Sequence, residues 1–409
     1  MNFLTEFKEG LSISWGAIRA NKMRSVLTTL GIVIGVVTVT LMGTAIQGLN
    51  RAFVNSISFI GADVLYVQRE EWFIKSHAEW MKMHNRPKLT LAQVKELQRQ
   101  FPSAVAIAPT ADSRETVKFQ KRSADNVTII GTSADFFTTS GVSISRGRFL
   151  TAGECDGGRP VCVIGATVAT NLFQGNPEVG NRIIIDDRNF DVVGVLEKQG
   201  GFLGEGGVDN QIIVGLPVFR AAFRNNPDYT VQVKVKQVEQ LEDAKEELHS
   251  TMRKIRRLAP TDPDDFSINQ QDQVLDMFHK VAGTIAAVGL FVTSLSLFVG
   301  GIGIMNIMFV SVAERTREIG IRKAIGAKRR TILLQFLLEA ASICLIGGLV
   351  ALAIAWPLTL LMQKFLPASL SLTVVGIALA VSLVTGVISG FFPAWRAARM
   401  NPVDALRSE

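Results

Sequence analysis

The stretch AERTREIGIRKAIGAKRRTILLQF, residues 313–336, decides how this chain is organised. Nine charges lie between Glu314 and Arg330, seven of them basic, yet long apolar runs flank the stretch on both sides. A segment with this charge does not cross a bilayer, and it is too short to form a domain. Because isoleucines are interspersed among the charges, the pattern predicts a short amphipathic helix at a membrane surface, ending at Gly326.

Four apolar segments are long enough to cross a membrane. A spanning helix needs about 20 mostly apolar residues, since the hydrocarbon layer is about 30 Å thick. The first segment exceeds the usual apolar core of a signal peptide and lacks a good A-x-A cleavage site after it, which favours a retained span. The four predicted spans are 26–50 with the start of a stalk, 281–313 with a second stalk, 331–363 and 371–392.

Lysine and arginine near the spans predict the orientation of the chain, because short cytoplasmic loops accumulate these residues. The N-terminal amphipathic segment 1–25, the coupling segment 314–330 and the tail 393–409 are basic and are therefore expected in the cytoplasm. Residues 51–280 are then extracytoplasmic, and they hold 28 basic and 29 acidic residues, a net charge of −1. The net charge of +7 on the whole chain thus indicates topology, and we expect no nucleic-acid partner.

The extracytoplasmic segment alternates between strand and helix patterns. Residues 89–101 read as a helix with Thr90 as N-cap, and βαβ patterns lie at both ends of the segment. A β-rich insertion of about 126–229 separates these ends and contains an Asp-Asp-Arg-Asn turn. The predicted fold is therefore an α-helical four-span membrane domain with an α+β domain of two subdomains, a βαβ lobe and a β-rich lobe. Glycines at 200–207 predict a mobile loop.

Three cysteines occur, and Cys344 lies inside a predicted span. Cys155 and Cys162 fall in the extracytoplasmic domain, where an oxidising compartment would permit a disulfide between them. Two unpaired thiols are an equal alternative, because the distance between the two residues does not follow from the sequence.

Motifs of common enzymes are missing from this sequence. It has no G-x-x-x-x-G-K-[ST] loop for nucleotide phosphates, no H-E-x-x-H and no G-x-S-x-G, so we expect no catalytic residue and no cofactor in this chain. His77, Met81 and His84 share one face of a predicted helix and are of the types that bind copper or zinc. A face of this composition is more often used for packing, so no metal site is expected.

Small residues four apart recur in the spans, which lets helix backbones approach closely. These pairs are Gly31 with Gly35, Gly283 with Ala287, and Gly386 with Gly390. Ordinary glycine enrichment of membrane helices is the alternative explanation. Four spans are few for a substrate conduit, so a homodimer is expected.

Several segments resemble a known family. The opening stretch is similar to the segment between the second and third spans of MacB-like and FtsX-like ABC transporter permeases, and FFPAWRAARMNPVDALRSE resembles their C-terminal ending. AIRANKMRSVLTTLGIVIGV resembles the first span of the family. GADVLYV, GTSADFF, RGRFLTAGE, FDVVGVLEK and DDFSINQQDQVL look like segments of the MacB-type periplasmic core domain, in the same order.

The resemblance implies a multi-pass permease of the bacterial inner membrane, in which the βαβ lobe is porter-like. It implies a homodimer in membrane lipid, a dimeric cytoplasmic ABC ATPase subunit that binds ATP and Mg, a periplasmic adaptor protein and an outer-membrane channel. The coupling contacts to the ATPase would then be residues of segment 314–330, namely Arg317, Glu318, Ile319, Gly320, Ile321, Arg322 and Lys323.

The family works by mechanotransmission, in which ATP hydrolysis in the cytoplasm moves the domains outside the membrane and expels substrate. MacB itself carries its ATPase domain on the same chain, whereas this chain begins about 25 residues before its first span, so a separate ATPase is expected. An FtsX-like signalling transducer and a LolC/LolE-like lipoprotein extraction permease remain alternatives. The segment 72–87 looks like additional material relative to the family pattern.

Overall fold

The computed structural model describes residues 22–57, 61–74, 76–200, 207–364 and 366–407. The chain divides into two compact units, the first comprising the described residues up to Arg51 and from Lys280 onward, and the second Ala52–His279. Nearly all of the predicted N-terminal segment 1–25 and of the glycine-rich loop 200–207 lies outside the described residues.

The described helices and strands alternate through the second unit, while the first unit is helical. The helices are α1 (Lys22–Ile57), α2 (His77–His84), α3 (Leu91–Gln100), α4 (Phe136–Thr139), α5 (Ala152–Asp156), α6 (Ala166–Phe173), α7 (Leu216–Ala222), α8 (Leu241–Arg256), α9 (Gln271–Glu314), α10 (Thr316–Ala324), α11 (Arg329–Met362), α12 (Leu372–Arg399) and α13 (Pro402–Arg407). The strands are β1 (Val64–Gln68), β2 (Ala104–Phe119), β3 (Arg122–Thr132), β4 (Ile144–Gly147), β5 (Val161–Ile164), β6 (Arg182–Ile185), β7 (Arg188–Leu196), β8 (Gln211–Gly215), β9 (Thr230–Val235) and β10 (Ser267–Asn269).

Four of these helices, α1, α9, α11 and α12, are long and apolar enough to cross a membrane. The predicted spans 26–50 and 281–313 lie within α1 and α9, and the predicted spans 331–363 and 371–392 extend one residue beyond α11 and α12. Helix α12 continues through Pro393 to Arg399, beyond the predicted end of the fourth span at residue 392. A proline removes one backbone hydrogen bond, and membrane helices tolerate this where neighbours pack around it; Pro393 is buried.

Close packing of small residues holds the membrane helices of this chain together. A Cβ atom added to Gly390 would lie 2.4 Å from the Cβ of Ala340, and one added to Gly31 would lie 2.9 Å from the Cα of Gly300. Gly35 and Gly386 likewise contact Leu297 and Cys344. The last predicted pair differs: no neighbouring atom lies within 4 Å of a Cβ added to Gly283 in the described structure, and Ala287 is exposed.

The second unit is built on one ten-stranded sheet in the order β10-β1-β9-β2-β3-β8-β5-β7-β4, with β6 pairing with β2 and β7. Both predicted lobes are present within it. The first half of β2 pairs with β9 in the βαβ lobe, and its second half pairs with β3 and β6 in the β-rich lobe. The 16-residue strand β2 therefore joins the two lobes.

Side chains that alternate along the strands form a separate core on each face of the sheet. On one face, α3, α6, α7 and α8 cover a large cluster that includes Leu97, Phe173 and Leu248. On the other face, a smaller cluster that includes Phe136 and Cys155 lies under α4 and α5. Thr90 is the N-cap of helix α3, as predicted, with a capping box in which the side chains of Thr90 and Gln93 each accept from the backbone N–H of the other residue.

The predicted Asp-Asp-Arg-Asn turn joins β6 to β7. Asp186 and Asp187 both have positive φ, 44° and 59°, as a two-residue hairpin turn of the primed type requires.

The disulfide considered between Cys155 and Cys162 is not formed, and both thiols are free. Cys162 points from β5 into the large cluster, whereas Cys155 lies in the small cluster on the opposite face. A bond between them would have to cross the sheet, which strand alternation prevents.

Candidate functional site

The charged segment after α9 forms an elbow in the first unit, which we define as residues 314–330. Helix α9 ends at Glu314, and the nine-residue helix α10 follows after Arg315. Gly326 then adopts a left-handed conformation, φ +104°, before α11 begins at Arg329. The predicted short helix is present and ends at Ala324, two residues before the predicted end at Gly326. Glycine is suited to the left-handed position after the helix because it has no Cβ.

One face of α10 is packed against its own membrane unit. Ile319 is 4% exposed and lies in a hydrophobic cluster with Ile332 and Phe336 of α11. Gly320 beside it is also buried. Ile319 and Gly320, which the family resemblance predicts as contacts to an ATPase, therefore lie on the face of α10 that packs within this chain.

Polar contacts fix the same helix to α11. The guanidinium of Arg322 donates to Glu318, 2.5 Å away, and to the side chain of Gln335, 2.7 Å away. Arg315 pairs with Glu339 at 3.4 Å, and the side chain of Glu339 is only 4% exposed. The pair of Arg322 with Glu318 is exposed and lies within α10, so the bond to Gln335 and the pair of Arg315 with the buried Glu339 are the polar contacts that join the elbow to α11.

Lys323 fastens α10 to the end of α12. Its Nζ donates to the carbonyl oxygens of Ala398 and Met400, at 2.7 and 2.6 Å. Helix C-termini leave such carbonyls without a partner in the helix. A cation there also interacts favourably with the partial negative charge of the helix dipole. Burial, followed by the nearby charge of Arg329, lowers the pKa of Lys323. This lysine, which we expected at the ATPase contact, is therefore used inside the chain.

The opposite face of α10 is exposed and carries a different set of residues. Arg317 is exposed there, Ile321 is 44% exposed, and Ile325, just after the helix, is 82% exposed. Ile321 and Ile325 are four residues apart and share a face, whereas Ile319 is rotated by about 200° from Ile321. Ile325 is not among the coupling residues that the family resemblance implies, although this spacing distinguishes it from Ile319. We call Arg317, Ile321 and Ile325 the outer face of the elbow.

The histidine-containing helix α2 lies in the second unit. The rings of His77 and His84 both stack on Trp80, at 5.7 and 4.9 Å between centroids, and the ring of His84 lies 3.4 Å from the carboxylate of Glu70. Met81 is 50% exposed. No group of three or more His, Cys, Asp or Glu suited to a metal ion occurs among the described residues.

Comparisons with known proteins cover both units. Residues 25–251 match the MacB-like periplasmic core domain, and residues 290–402 match the FtsX-like permease C-terminal region. The macrolide export ATP-binding/permease protein MacB of Bdellovibrio bacteriovorus is 31% identical over 99% of this chain and 62% of its own length. The pyoverdine export ATP-binding/permease protein PvdT of Pseudomonas syringae pv. tomato is also 31% identical, over 99% of this chain and 60% of its own length. The chain thus spans about three-fifths of the length of these relatives.

Among solved structures, the periplasmic region of MacB from Actinobacillus actinomycetemcomitans matches 56% of this chain and 97% of its own, with 16% identity and a TM-score of 0.45. The match to the periplasmic core domain alone covers more than half of the 409 residues. With four membrane-type helices and both matched regions in order, the chain belongs to the family of MacB-like and FtsX-like ABC transporter permeases.

Proposed function

We propose that this chain is the permease subunit of an ABC-type export complex that works by mechanotransmission. ATP is hydrolysed on separate ATPase subunits at the cytoplasmic face of the inner membrane. The elbow receives the resulting movement, and the second unit, on the extracytoplasmic side, uses it to expel substrate. The names of two relatives, which refer to the export of macrolides and of pyoverdine, support export as the direction.

The observation that carries this proposal is the two-sided construction of α10. Its inner face is fixed by the buried Ile319 and by the bonds from Lys323 to the end of α12. Its outer face presents Ile321 and Ile325, and apolar anchors four residues apart are typical of a helix that docks into a partner's groove. A helix held firmly on one side and apolar on the other is suited to transmit force from a docked ATPase.

The long helices support transmission to the second unit. Helix α9 has 44 residues and α1 has 36, which correspond to lengths of about 66 and 54 Å at about 1.5 Å per residue. Both exceed the hydrocarbon layer of about 30 Å, and both contribute residues to each unit. Within the second unit, the rings of Phe53 and Phe278 stack at 4.0 Å, so the two helices are in contact there.

The proposed complex contains two copies of this chain in membrane lipid, an ATPase dimer, a periplasmic adaptor protein and an outer-membrane channel. Helix α9 is poorly covered within the chain, since only 17% of its most apolar 18-residue stretch is buried. A second copy and lipid would cover the rest, as is usual for association of membrane helices through small residues.

Affinity purification of the tagged chain from its native membranes tests the docking role. We expect an ABC ATPase to co-purify with the unmodified chain, and Ile325→Asp to reduce its recovery at least about tenfold, because a charge replaces an apolar anchor, a loss of about 1.4 kcal/mol or more. Val238→Asp, at a valine 51% exposed in the second unit, is the matched control and should recover the ATPase normally.

Equal recovery of the ATPase with Ile325→Asp and with the control would contradict docking at the outer face. The other proteins in the same preparation address the direction of function. An adaptor protein supports export, whereas a cell-wall hydrolase or a lipoprotein in its place would favour the transducer or the lipoprotein-extraction alternative.

A further inference from the structure

A cavity of about 370 Å³ lies within the second unit. Its floor consists of residues from the central strands β9, β2, β3 and β8, on the sheet face opposite the large helix-covered cluster. Cavities of about 300–1,000 Å³ are of the size that binds small organic molecules. Neither the proposed ATPase contact nor the core packing accounts for it.

The walls of the cavity are largely aromatic and aliphatic. Trp72, from the segment after β1, contacts Tyr66 with ring centroids 5.1 Å apart and planes tilted by 52°. Phe136, Val142 and Val208 line the cavity as well. Rigid rings of this kind supply a large apolar contact area at little entropic cost.

A glutamine amide lies on the floor of the cavity. Gln211, at the start of β8, is only 6% exposed as a residue and lines the cavity, and its backbone carbonyl accepts from Gly165. Its side chain makes no hydrogen bond to a described residue, and its amide atoms are not among the fully buried polar atoms that lack a partner, so water or a ligand can reach them from the cavity. An accessible amide can both donate and accept, so it can bond a polar group of a ligand that enters the cavity.

One carboxylate completes the lining. Asp112, an exposed residue of β2, is the single charged side chain among the described residues of the cavity. It forms no ion pair with any residue that the structure describes, although Arg114 lies two positions further along the same strand. A cavity lined by one carboxylate and by aromatic rings attracts organic cations, through charge and through the ring quadrupoles.

We propose that this cavity binds a small amphipathic organic cation. The apolar body of the ligand packs between Trp72 and Phe136, its positive charge lies near Asp112, and a polar group of the ligand bonds the amide of Gln211. The proposal concerns binding by the second unit and does not depend on an ATPase. The variant Ile325→Asp, which is altered in the first unit, is accordingly expected to bind the cation as the unmodified chain does.

Ethidium is a suitable probe, since it is a flat, fluorescent cation with amino groups that can bond an amide. We expect saturable binding to the full-length protein in lipid nanodiscs, above the signal of empty nanodiscs. Asp112→Asn should weaken this binding about tenfold, equivalent to about 1.4 kcal/mol. Asp156→Asn is the matched control, because Asp156 is an exposed carboxylate of the same unit that does not line the cavity.

Two further variants test the remaining walls. Trp72→Leu removes an aromatic wall, and Gln211→Leu replaces the amide on the floor by an apolar side chain of similar volume; each should weaken ethidium binding at least about fivefold. Uncharged 6-phenylphenanthridine should bind the unmodified chain at least about tenfold more weakly than ethidium, and Asp112→Asn should not change its affinity.

Three results would overturn the proposal. The first is no ethidium binding beyond that of empty nanodiscs, and the second is equal affinity in the unmodified chain and in Asp112→Asn. The third is binding of the neutral compound as tightly as ethidium. Since Asp112 is exposed, its substitution leaves the folded core unchanged, and a far-ultraviolet circular dichroism spectrum identical to that of the unmodified chain checks this.

Discussion

Glu154 is a buried carboxylate at the start of α5. Its two oxygens accept hydrogen bonds of 2.7 Å from the guanidinium of Arg148, and one of them also accepts from the backbone N–H and the hydroxyl of Thr151, at 3.0 and 2.9 Å. The bonds from Arg148, opposed by burial and aided by those from Thr151, lower the pKa of Glu154 to about 2. All of these bonds favour the charged form, so the ionised carboxylate stabilises this part of the domain.

The variant Glu154→Gln should therefore open this part of the domain more easily at pH 7. Arg148 is half-exposed, which reduces the effect, and we expect a loss of about 2 kcal/mol, or roughly 30-fold lower amide protection in α5. Because the folded pKa is depressed, the contribution of the carboxylate is complete above about pH 4.5 and disappears as the pH falls to about 2. Hydrogen–deuterium exchange of the full-length protein measures the protection.

The exposed Glu197→Gln is the control for this experiment and should leave protection unchanged at every pH. If Glu154→Gln exchanged like the unmodified protein at pH 7, or if its deficit persisted undiminished near pH 2, the carboxylate would not be the source of this stability.

The three isoleucines of the elbow illustrate how far single residues could be predicted. The sequence places Ile319, Ile321 and Ile325 within one charged segment, and the spacing separates Ile319 from the other two. Which of the two sides faces the interior depends on Ile332 and Phe336, which pack on Ile319 only after α11 has folded back. The same holds for Lys323, whose acceptors lie 75 and 77 residues further along the chain.

At the scale of elements, the contact between α10 and α12 determines how firmly the elbow is held. Lys323→Met keeps most of the apolar stem and removes the ammonium that bonds the carbonyls of Ala398 and Met400. We expect a loss of about 1–2 kcal/mol, and hence roughly 5- to 30-fold faster amide exchange in α10 and in the last turn of α12. Hydrogen–deuterium exchange resolved by peptide measures both segments.

Lys328→Met provides the comparison, since Lys328 is exposed and its side chain makes no hydrogen bond to any described residue. Exchange should accelerate in the Lys323 variant alone. Equal exchange in the two variants would show that the lysine contact does not fasten α10 to α12.

Elements with strong local signals were predicted closely, whereas strand lengths were not. The N-cap at Thr90 and the turn at Asp186 and Asp187 depend on neighbouring residues only, and the structure confirms both. Strand β2 runs through Pro109 and several polar residues, and the local sequence does not indicate a single 16-residue strand there. In the fold these residues pair with β9 and β3, partners whose register does not follow from the local sequence.

At the scale of the whole molecule, the four membrane helices and the two lobes can be predicted from composition and from the spacing of apolar residues. The cavity cannot be predicted in this way. Its lining residues come from segments as far apart as Tyr66 and Gln232, and no local pattern relates them. Nor does the pattern of small residues distinguish contacts within the chain from contacts between copies. Residues of other helices in this chain pack against Gly31 and Gly390. No neighbouring atom lies within 4 Å of a Cβ added to Gly283 in the described structure, and Ala287 is exposed.

Gly283 and Ala287, which no part of the described chain covers, therefore identify the face of α9 where two copies are expected to meet. Ala287→Cys should form a disulfide-linked dimer under mild oxidation in native membranes, because small residues bring helix backbones within the Cα separation of about 4.4–6.8 Å that a disulfide needs. Ile285→Cys, also exposed but on the opposite side of α9, should cross-link at least about tenfold less efficiently if the contact is specific. The native thiols do not interfere, since Cys155, Cys162 and Cys344 are all buried. Equal cross-linking at both positions would indicate random collision in the membrane, and cross-linking through position 285 alone would place the dimer contact on the other face of α9.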